Sequence, residues 1–538
     1  MNSASETKAA IGLDFGTESV RALVVDLEGH ELGEAVDAYA HGQITEALPG
    51  TGEKLPPDFA FQHPSDWIES AVTAVQGAVK AAGIDGDQIV GIGVDFTSCT
   101  MLPALADGTP LCLDDRFATE KFAWPKLWKH HGAKSQTDRI NEVAQKRNES
   151  FLSRYGGVIG LEWFFPKMLE TLEEAEHIYD ATDVWLEAGD WFVWQLVGGD
   201  ASELPRSTCQ AGYKGMWSAE DGFPSSDYLA ALHPKLANVV AEKMPGRLCP
   251  PGSCVGGLVP ELAGRMGLPA GTPISAAIID AHAGVPGVGA AEAGVLVMVM
   301  GTSSCHMLNS HENKNVPGVA GIVKDGILPG FYGYETGQAA VGDAFDWVRR
   351  LTGQDDFAVL TQEAAELPPG SEGVSCIDWF NGCRTPLMDG RLTGQFTGLK
   401  MNHRPVHLYR AALEASAYGV RWIVDLLKDN GVPVTRYVAS GGLPHHNPLL
   451  VQIYADVLGE SIEVPASKQG PALGAAILGA LAAGDKAGFA SAEEAVRSMT
   501  SASGETKVVK PNADATRQYA LLYQNYRREA DRLSAKQD

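Results

Sequence analysis

The sequence predicts an α/β protein made of two similar lobes with a central cleft between them. The spacing of apolar residues alternates between two and about 3.6, which is typical of strands alternating with helices. A pattern of apolar strand, Gly-Thr-x-Ser turn and second strand occurs twice, at residues 11–25 and again at residues 295–308. This repeat in a chain of 538 residues indicates an internal duplication, and a cleft between two lobes is a usual place for a ligand.

The first predicted unit is a pair of antiparallel strands. An apolar strand at residues 9–14 leads into a tight turn at Gly16, and a second strand returns at residues 20–26. The turn at Glu28-Gly29-His30 predicts a third strand after it.

A helix and a buried strand follow in the first half. Ser65 is predicted to cap the helix, whose apolar residues recur at three- and four-residue spacing: Ile68, Val72, Val75 and Val79. The apolar run at residues 89–95 predicts a buried strand, which ends in the turn at residues 96–100.

The second half repeats the paired strands and adds a long helix, another strand and another helix. The predicted ranges are 295–300 and 305–308 for the paired strands, 405–430 for the long helix, 437–439 for the next strand, and 448–458 for a helix that Asn447 begins. Before these, an apolar strand at residues 274–279 leads to Asp280. The order of elements therefore resembles that of the first half.

Composition excludes several classes of partner. The chain carries 42 basic and 67 acidic residues, a net charge of −25, which repels nucleic-acid phosphates and anionic lipid. None of the eight cysteines forms a CxxC pair, which argues against a zinc ribbon or a dithiol redox site. The polar N-terminus, MNSASETKAA, lacks the apolar core of a secretory signal. We expect a cytoplasmic protein without nucleic-acid or membrane partners.

The two Gly-Thr-x-Ser turns are the strongest indication of chemistry. Glycine lets a backbone approach a phosphate, and amide N–H groups and hydroxyls then supply donors without a basic patch. An ordinary hairpin turn explains either one alone, and their recurrence favours phosphate binding. The sequence has no Gly-Lys dipeptide and no Gly-x-Gly-x-x-Gly after a strand, which excludes a Walker A loop and a dinucleotide fingerprint.

Several motifs resemble one family of enzymes. Residues 12–21, Gly301-Thr302 and Ser440-Gly441-Gly442 resemble the two phosphate loops and the adenosine loop of the sugar-kinase fold. Residues 394–399 and, seven residues later, 407–414 resemble the second signature of the FGGY carbohydrate kinases. The resemblance implies two duplicated lobes of the actin-like, ribonuclease H-like type. Residues 1–285 would form the lobe with the sugar site and the first phosphate loop, and residues 286–538 the nucleotide-binding lobe.

Five further segments resemble the branch of this family that phosphorylates ribulose. They are residues 95–103, 126–131, 211–214, 279–282 and 334–338. The resemblance implies ATP-dependent phosphorylation of a ketopentose, with L-ribulose converted to L-ribulose 5-phosphate in L-arabinose catabolism. Two alternatives stay open: a kinase of the same family acting on D-ribulose, xylulose or a pentitol, and a non-catalytic nucleotide switch of the actin fold.

The candidate catalytic residue is Asp280. Phosphoryl transfer to an alcohol needs a carboxylate near the attacking hydroxyl, and the resemblance implies that Asp280 is this general base; the alternative is a helix N-cap. Asp280 would also bind the sugar with Ser98, Trp128, Lys214 and Glu335. Lys214 and Glu335 offer a donor and an acceptor for a polyol, and Trp128 is either an apolar wall of the sugar site or a core residue.

The resemblance also implies residues for MgATP. Those assigned to the nucleotide are Gly16, Thr17, Ser19, Gly301, Thr302, Gly342, Gly441, Gly442 and Asn447. Asp14 would hold Mg²⁺ through water, because this ion dehydrates reluctantly. Arg21 either offsets phosphate charge or makes a structural ion pair, and His445-His446 are candidates for contact with the adenine. The expected ligands are thus a ketopentose, ATP and Mg²⁺, and the apolar helices allow a homodimer.

Overall fold

The computed structural model describes residues 7–467, 469–502 and 504–535, and two seven-stranded sheets organise it. In chain order the strands are β1 (Ala9–Phe15), β2 (Ser19–Asp26), β3 (Glu31–Ala38), β4 (Ile89–Phe96), β5 (Met101–Ala104), β6 (Val184–Glu187), β7 (Pro205–Ser207), β8 (Arg247–Cys249), β9 (Cys254–Gly257), β10 (Pro273–Ser275), β11 (Ile278–Ile279), β12 (Val295–Met300), β13 (Ser304–Ser310), β14 (Gly321–Lys324), β15 (Tyr332–Gln338), β16 (Ser375–Ile377), β17 (Gln395–Thr397), β18 (Arg436–Ser440), β19 (Ile462–Val464) and β20 (Lys507–Val509).

Helices cover the sheets and fill the space between them. They are α1 (Pro64–Ala82), α2 (Lys134–Arg147), α3 (Phe164–Glu174), α4 (Glu176–Ala181), α5 (Ala188–Val197), α6 (Thr208–Lys214), α7 (Ser226–Leu232), α8 (Val239–Lys243), α9 (Pro260–Met266), α10 (Asp280–Gly287), α11 (Gly342–Leu351), α12 (Phe357–Ala365), α13 (Pro405–Asp429), α14 (Gly442–His446), α15 (Pro448–Leu458), α16 (Gly470–Ala482), α17 (Ala492–Met499) and α18 (Ala513–Ser534). No helix in the described ranges is both long and apolar enough to cross a membrane.

The two sheets share one arrangement of strands. The first has the order β3-β2-β1-β4-β10-β9, with β11 also beside β4, and the second has the order β14-β15-β13-β12-β18-β19-β20. In the first, β1 is antiparallel to β2 and parallel to β4; in the second, β12 is antiparallel to β13 and parallel to β18. The predicted α/β fold with a repeated strand–turn–strand unit is therefore confirmed.

Helix α16 packs against the first sheet although it comes late in the chain. A Cβ atom on Gly12 of β1 would lie 1.8 Å from the carbonyl oxygen of Ala472, and one on Gly93 of β4 would lie 1.8 Å from that of Ala475. These two positions need glycine because helix backbone touches strand backbone there. The predicted boundary between lobes, after residue 285, falls within α10 and stays a prediction.

Two predicted details are wrong. His63, not Ser65, caps α1: its Nδ1 accepts a hydrogen bond from the Ser65 amide at 3.3 Å, and Pro64 takes the first helical position, which suits proline. The single strand predicted at residues 274–279 is divided into β10 and β11, because the Ala276 amide donates to Ser253 O (3.2 Å) in a neighbouring loop. The absence of a secretory signal was predicted from residues 1–10, and residues 1–6 of that segment lie outside the described residues.

Candidate active site

A cavity of about 680 Å³ brings together residues from both halves of the chain. Seven of the predicted site residues line it: Gly16, Thr17, Ser98, Trp128, Lys214, Asp280 and Glu335. These residues lie in segments far apart in the sequence, so their convergence on one cavity supports a single site.

Asp280 lies where strand β11 becomes helix α10. Because β11 runs parallel to β4, this residue stands at the carboxyl edge of the first sheet, and it is the first residue of the helix. Burial raises the pKa of Asp280 to about 7 and the nearby Asp14 adds to the rise, while the hydrogen bond from the Ala281 amide to Oδ1 (2.6 Å) opposes it. A carboxyl with this pKa, facing a cavity, is suited to accept a proton near neutral pH.

Two further carboxyl groups lie side by side near Asp280. Asp14 on β1 and Asp95 on β4 are register partners in the parallel pair. Burial raises the pKa of both, and Asp14 and Asp280 raise that of Asp95 further. Arg21 Nη1 lies 3.5 Å from Asp14 Oδ2. Of the two roles predicted for Arg21, the structure therefore contains the structural ion pair.

The residues around Asp14 fit a hard divalent cation. The Asp14 side chain is 17% exposed, and both oxygens of the buried Asp95 lack a hydrogen-bond partner among the described residues. Carboxylate oxygens and water are the ligands that Mg²⁺ prefers. Asp14 does not itself line the large cavity.

The same cavity also contains Glu335, a buried residue of β15. Lys214 Nζ, at the end of α6, lies 3.1 Å from Oε1 and 3.3 Å from Oε2. Arg384 Nη2 contacts Oε1, and His282 Nε2 lies 3.3 Å from Oε2. Burial alone would raise the pKa of Glu335, but Lys214 and Arg384 hold it well below its usual range. Glu335 is therefore ionised and fixed by partners from several elements.

The first predicted phosphate loop is held from two sides. The Gly16 amide donates to Ser19 O at 3.0 Å, which closes the turn. Trp128 Nε1 donates to Thr17 Oγ1 at 3.0 Å, and Gln62 Nε2 donates to Thr17 O at 2.8 Å. Trp128 is 41% exposed and lines the cavity. The structure therefore supports its prediction as a wall of the site over the alternative of a core residue.

The second predicted phosphate loop lies against the start of helix α11. The Gly342 amide donates to Gly301 O at 3.0 Å, and the amides of Val341 and Asp343 donate to Thr302 O at 2.9 and 3.2 Å. A Cβ atom on Gly342 would lie 2.6 Å from Gly301 O, so glycine is required for this approach. Ser303 of this loop, rather than Gly301 or Thr302, lines the large cavity.

A second cavity, of about 180 Å³, adjoins the first. Gly441, Gly442, His445 and His446 line it, and Ala281 lines both cavities. The residue after Asp280 thus connects the predicted sugar and adenosine regions.

Some predicted nucleotide residues lie outside both cavities. Asn447 is buried and caps α15: its Oδ1 accepts from the Leu450 amide and its Nδ2 donates to the Tyr409 hydroxyl, both at 3.0 Å. Ser19 contributes its backbone carbonyl to the turn at Gly16. For these two residues, the structure supports positions that shape the loops rather than line a cavity.

Sequence reasoning missed several residues that line the large cavity. They include Glu162, Asn381, Arg384 and Cys305. Arg384 lies in a segment without regular secondary structure, between β16 and β17, and no local pattern marks it. Only its contact with Glu335, 49 residues away in the chain, reveals it.

Comparison with solved structures defines the class of protein. The fold matches a xylulose kinase from Rhodospirillum rubrum (TM-score 0.80, 24% identity, covering 98% of this chain and 99% of that one). It also matches a glycerol kinase with ADP from Plasmodium falciparum (TM-score 0.80, 17% identity, covering 98% of both chains). The chain therefore has the two-lobed fold of these sugar and polyol kinases.

Sequence comparison then gives the family. The models for the N-terminal and C-terminal domains of the FGGY family of carbohydrate kinases match residues 9–287 and 296–483, and the chain belongs to this family. It is 46% identical to a ribulokinase from Geobacillus thermodenitrificans over 532 residues, 96% of this chain and 93% of the relative. It is 45% identical to a ribulokinase from Mycolicibacterium smegmatis over 493 residues, 89% and 86% of the two chains. As a carbohydrate kinase it is a phosphotransferase that uses ATP and an alcohol acceptor.

Proposed function

We propose that this carbohydrate kinase phosphorylates L-ribulose to L-ribulose 5-phosphate, as a step of L-arabinose catabolism. The main support is the identity of 43–46% to relatives named ribulokinase over almost the whole chain. The convergence of Lys214, Asp280 and Glu335 on one cavity supports it independently.

Asp280 acts as the general base in this proposal. Its carboxylate accepts the proton of the attacking hydroxyl as the phosphoryl group is transferred. The hydrogen bond from the Ala281 amide fixes Oδ1, which leaves Oδ2 to face the sugar. Lys214 and Glu335 bind the remaining oxygens, and Trp128 with Ser98 forms the side wall.

The nucleotide occupies the smaller cavity and reaches toward the larger one. Gly441 and Gly442 bind the adenosine, and the turns at Gly16-Thr17 and Gly301-Thr302 donate N–H groups to the phosphates. Asp14 would hold Mg²⁺ through water beside these loops, and the bound ion neutralises charge on the phosphates. Ala281, shared by both cavities, lies between the two substrates.

Sugar binding joins the two lobes. Lys214 belongs to the first half of the chain and Glu335 to the second, and their ion pair crosses the cleft. A sugar held by both closes the lobes around the reacting phosphate, which excludes water and favours transfer over hydrolysis.

A substrate panel tests the proposal. We expect the purified protein with MgATP to release ADP with the highest kcat/KM on L-ribulose, compared with D-ribulose, xylulose and ribitol. A higher value on xylulose or ribitol would assign it to another specificity of the family. ATP binding without turnover of any of the four would instead support the nucleotide switch.

A further inference from the structure

The sugar end of the cavity contains a second cation, Arg384, whose backbone is fixed against the strand that carries Glu335. The Thr385 amide donates to Gly337 O at 3.1 Å, and the Gly337 amide donates to Thr385 Oγ1 at 3.3 Å. The guanidinium lies over Gly337, where a Cβ atom would come within 3.0 Å of Nη1. Glycine at this position therefore leaves room for the arginine to reach the cavity.

One oxygen of Glu335, Oε1, has its acceptor capacity filled by two cations. Oε1 contacts Lys214 and Arg384, and Oε2 lies 3.3 Å from both Lys214 Nζ and His282 Nε2. A carboxylate oxygen has two lone pairs, and those of Oε1 face the two cations Lys214 and Arg384. His282 Nε2, although near Oε2, makes no hydrogen bond among the described residues. The wall around Glu335 therefore presents N–H donors to the cavity.

Arg384 has a donor that is poorly used. Its Nη2 is paired with Glu335, whereas Nη1 donates to Cys305 Sγ at 3.4 Å. A thiol sulfur is a weak acceptor, so a ligand oxygen would replace it readily. The Arg384 side chain is 24% exposed and lines the cavity, which makes this N–H accessible to a sugar.

A wall of donors selects for a group that only accepts hydrogen bonds. Ring closure of ribulose joins O5 to C2, so phosphorylation at O5 requires the open chain, and the open chain has a free carbonyl at C2. This carbonyl is an acceptor without a hydrogen, whereas the hydroxyl of a pentitol must also find an acceptor for its own hydrogen. The acceptor that Arg384 contacts, Oε1 of Glu335, already has two cationic partners.

We propose that Arg384, together with Lys214, recognises the carbonyl of the open-chain ketopentose and thereby selects ketoses over pentitols. The inference rests on the proposed function and names the specificity of that same site. Arg384 is donor-only and permanently charged, and it belongs to the second lobe. The carbonyl is then held between a cation of each lobe.

The test compares L-ribulose with ribitol and L-arabinitol, the two pentitols obtained by reducing its carbonyl. We expect the wild-type enzyme to prefer L-ribulose. Arg384→Met should lower kcat/KM for L-ribulose by roughly 10- to 100-fold, the value of a charge-assisted hydrogen bond, and change that for the pentitols by less than about threefold. Arg384→Lys, which keeps the charge, should recover part of the loss for L-ribulose alone.

Controls separate the outcomes. Arg350→Met removes an exposed arginine that pairs with Asp346 on α11 and should leave all three substrates unchanged, and thermal unfolding with MgATP checks that each variant is folded. Equal losses on ketose and pentitols in Arg384→Met, or a wild-type enzyme without preference between them, would overturn the inference while leaving the proposed function intact. A wild-type enzyme that phosphorylates none of the three would overturn both.

Discussion

Replacing Asp280 by asparagine should remove the catalytic base and at the same time stabilise the folded protein. The substitution keeps the shape of the side chain, and Oδ1 of the amide can still accept the hydrogen bond that Ala281 N donates at 2.6 Å. What is lost is the negative charge beside Asp14 and Asp95, both of which interact with Asp280 electrostatically.

The expected magnitudes follow from the pKa of about 7. Loss of a general base costs roughly 10²- to 10⁴-fold in kcat. The pKa of this carboxyl is higher in the folded chain than in the unfolded one, so the folded state binds the proton more tightly, and stability falls as the pH rises from about 4 to 7. The full rise corresponds to about 4 kcal/mol at about 1.4 kcal/mol per pH unit. Because the carboxyl lines a cavity of about 680 Å³ and solvent screening reduces this figure, we expect Asp280→Asn to gain about 1–2 kcal/mol at pH 8.

Two measurements and a matched control check this reasoning. The kcat/KM of the wild-type enzyme for its sugar should fall about tenfold per pH unit below pH 7, because the base of the free enzyme becomes protonated there. Thermal unfolding should show Asp280→Asn to be more stable than wild type at pH 8 and nearly equal to it at pH 4. Asp227→Asn, an exposed acid in the first turn of α7, is the matched control and should alter neither property. A folded Asp280→Asn enzyme with near-normal kcat would refute the assignment of the base, and an unchanged stability at pH 8 would refute the electrostatic reasoning.

Three further predictions concern the rest of the site. Thr17→Val should raise KM for ATP and lower kcat, because it removes a hydroxyl of the predicted phosphate loop. Trp128→Phe removes the donor to that hydroxyl together with part of the cavity wall, so equal KM values for ATP in the two variants would mean that Thr17 acts only as a support for the indole. Lys214→Met should raise KM for the ketopentose by roughly tenfold or more without changing KM for ATP. Glu335→Gln should have the same effect, because it releases Lys214 and Arg384. Normal sugar kinetics in both variants would mean that the sugar binds elsewhere. Gly342→Ala should weaken ATP binding, as measured by calorimetric titration, because the added Cβ would lie only 2.6 Å from Gly301 O and displace it. An unchanged affinity for ATP would mean that this loop does not contact the nucleotide.

The sequence predicts the elements whose signal is local. The paired strands β1 and β2, and β12 and β13, each contain an apolar run on both sides of a glycine turn, and α13 shows helical spacing over 25 residues. The cap of α1 and the break between β10 and β11 were missed because each depends on a competing partner, the His63 ring in one case and Ser253 O in the other.

Prediction of the site residues from the sequence is limited in the same way. Asp280, Lys214 and Glu335 lie in segments whose family resemblance can be read along the chain. Arg384 and His282 acquire their roles only through contact with Glu335, which depends on how the two lobes pack. Asn447 is a position that its place in the sequence over-predicted. It lies next to the predicted adenosine loop, but its side chain caps α15.

The position of α16 affects the order in which the protein can fold during synthesis. The strands that it covers, β1 and β4, end by Phe96, and the helix begins about 370 residues later, at Gly470. At about 5–20 residues per second, the ribosome needs roughly 20–75 s to make the intervening chain. Throughout that time the glycine-lined face of the first sheet lacks its own helix and is open to other apolar segments. The first lobe is therefore completed only when most of the chain has been translated.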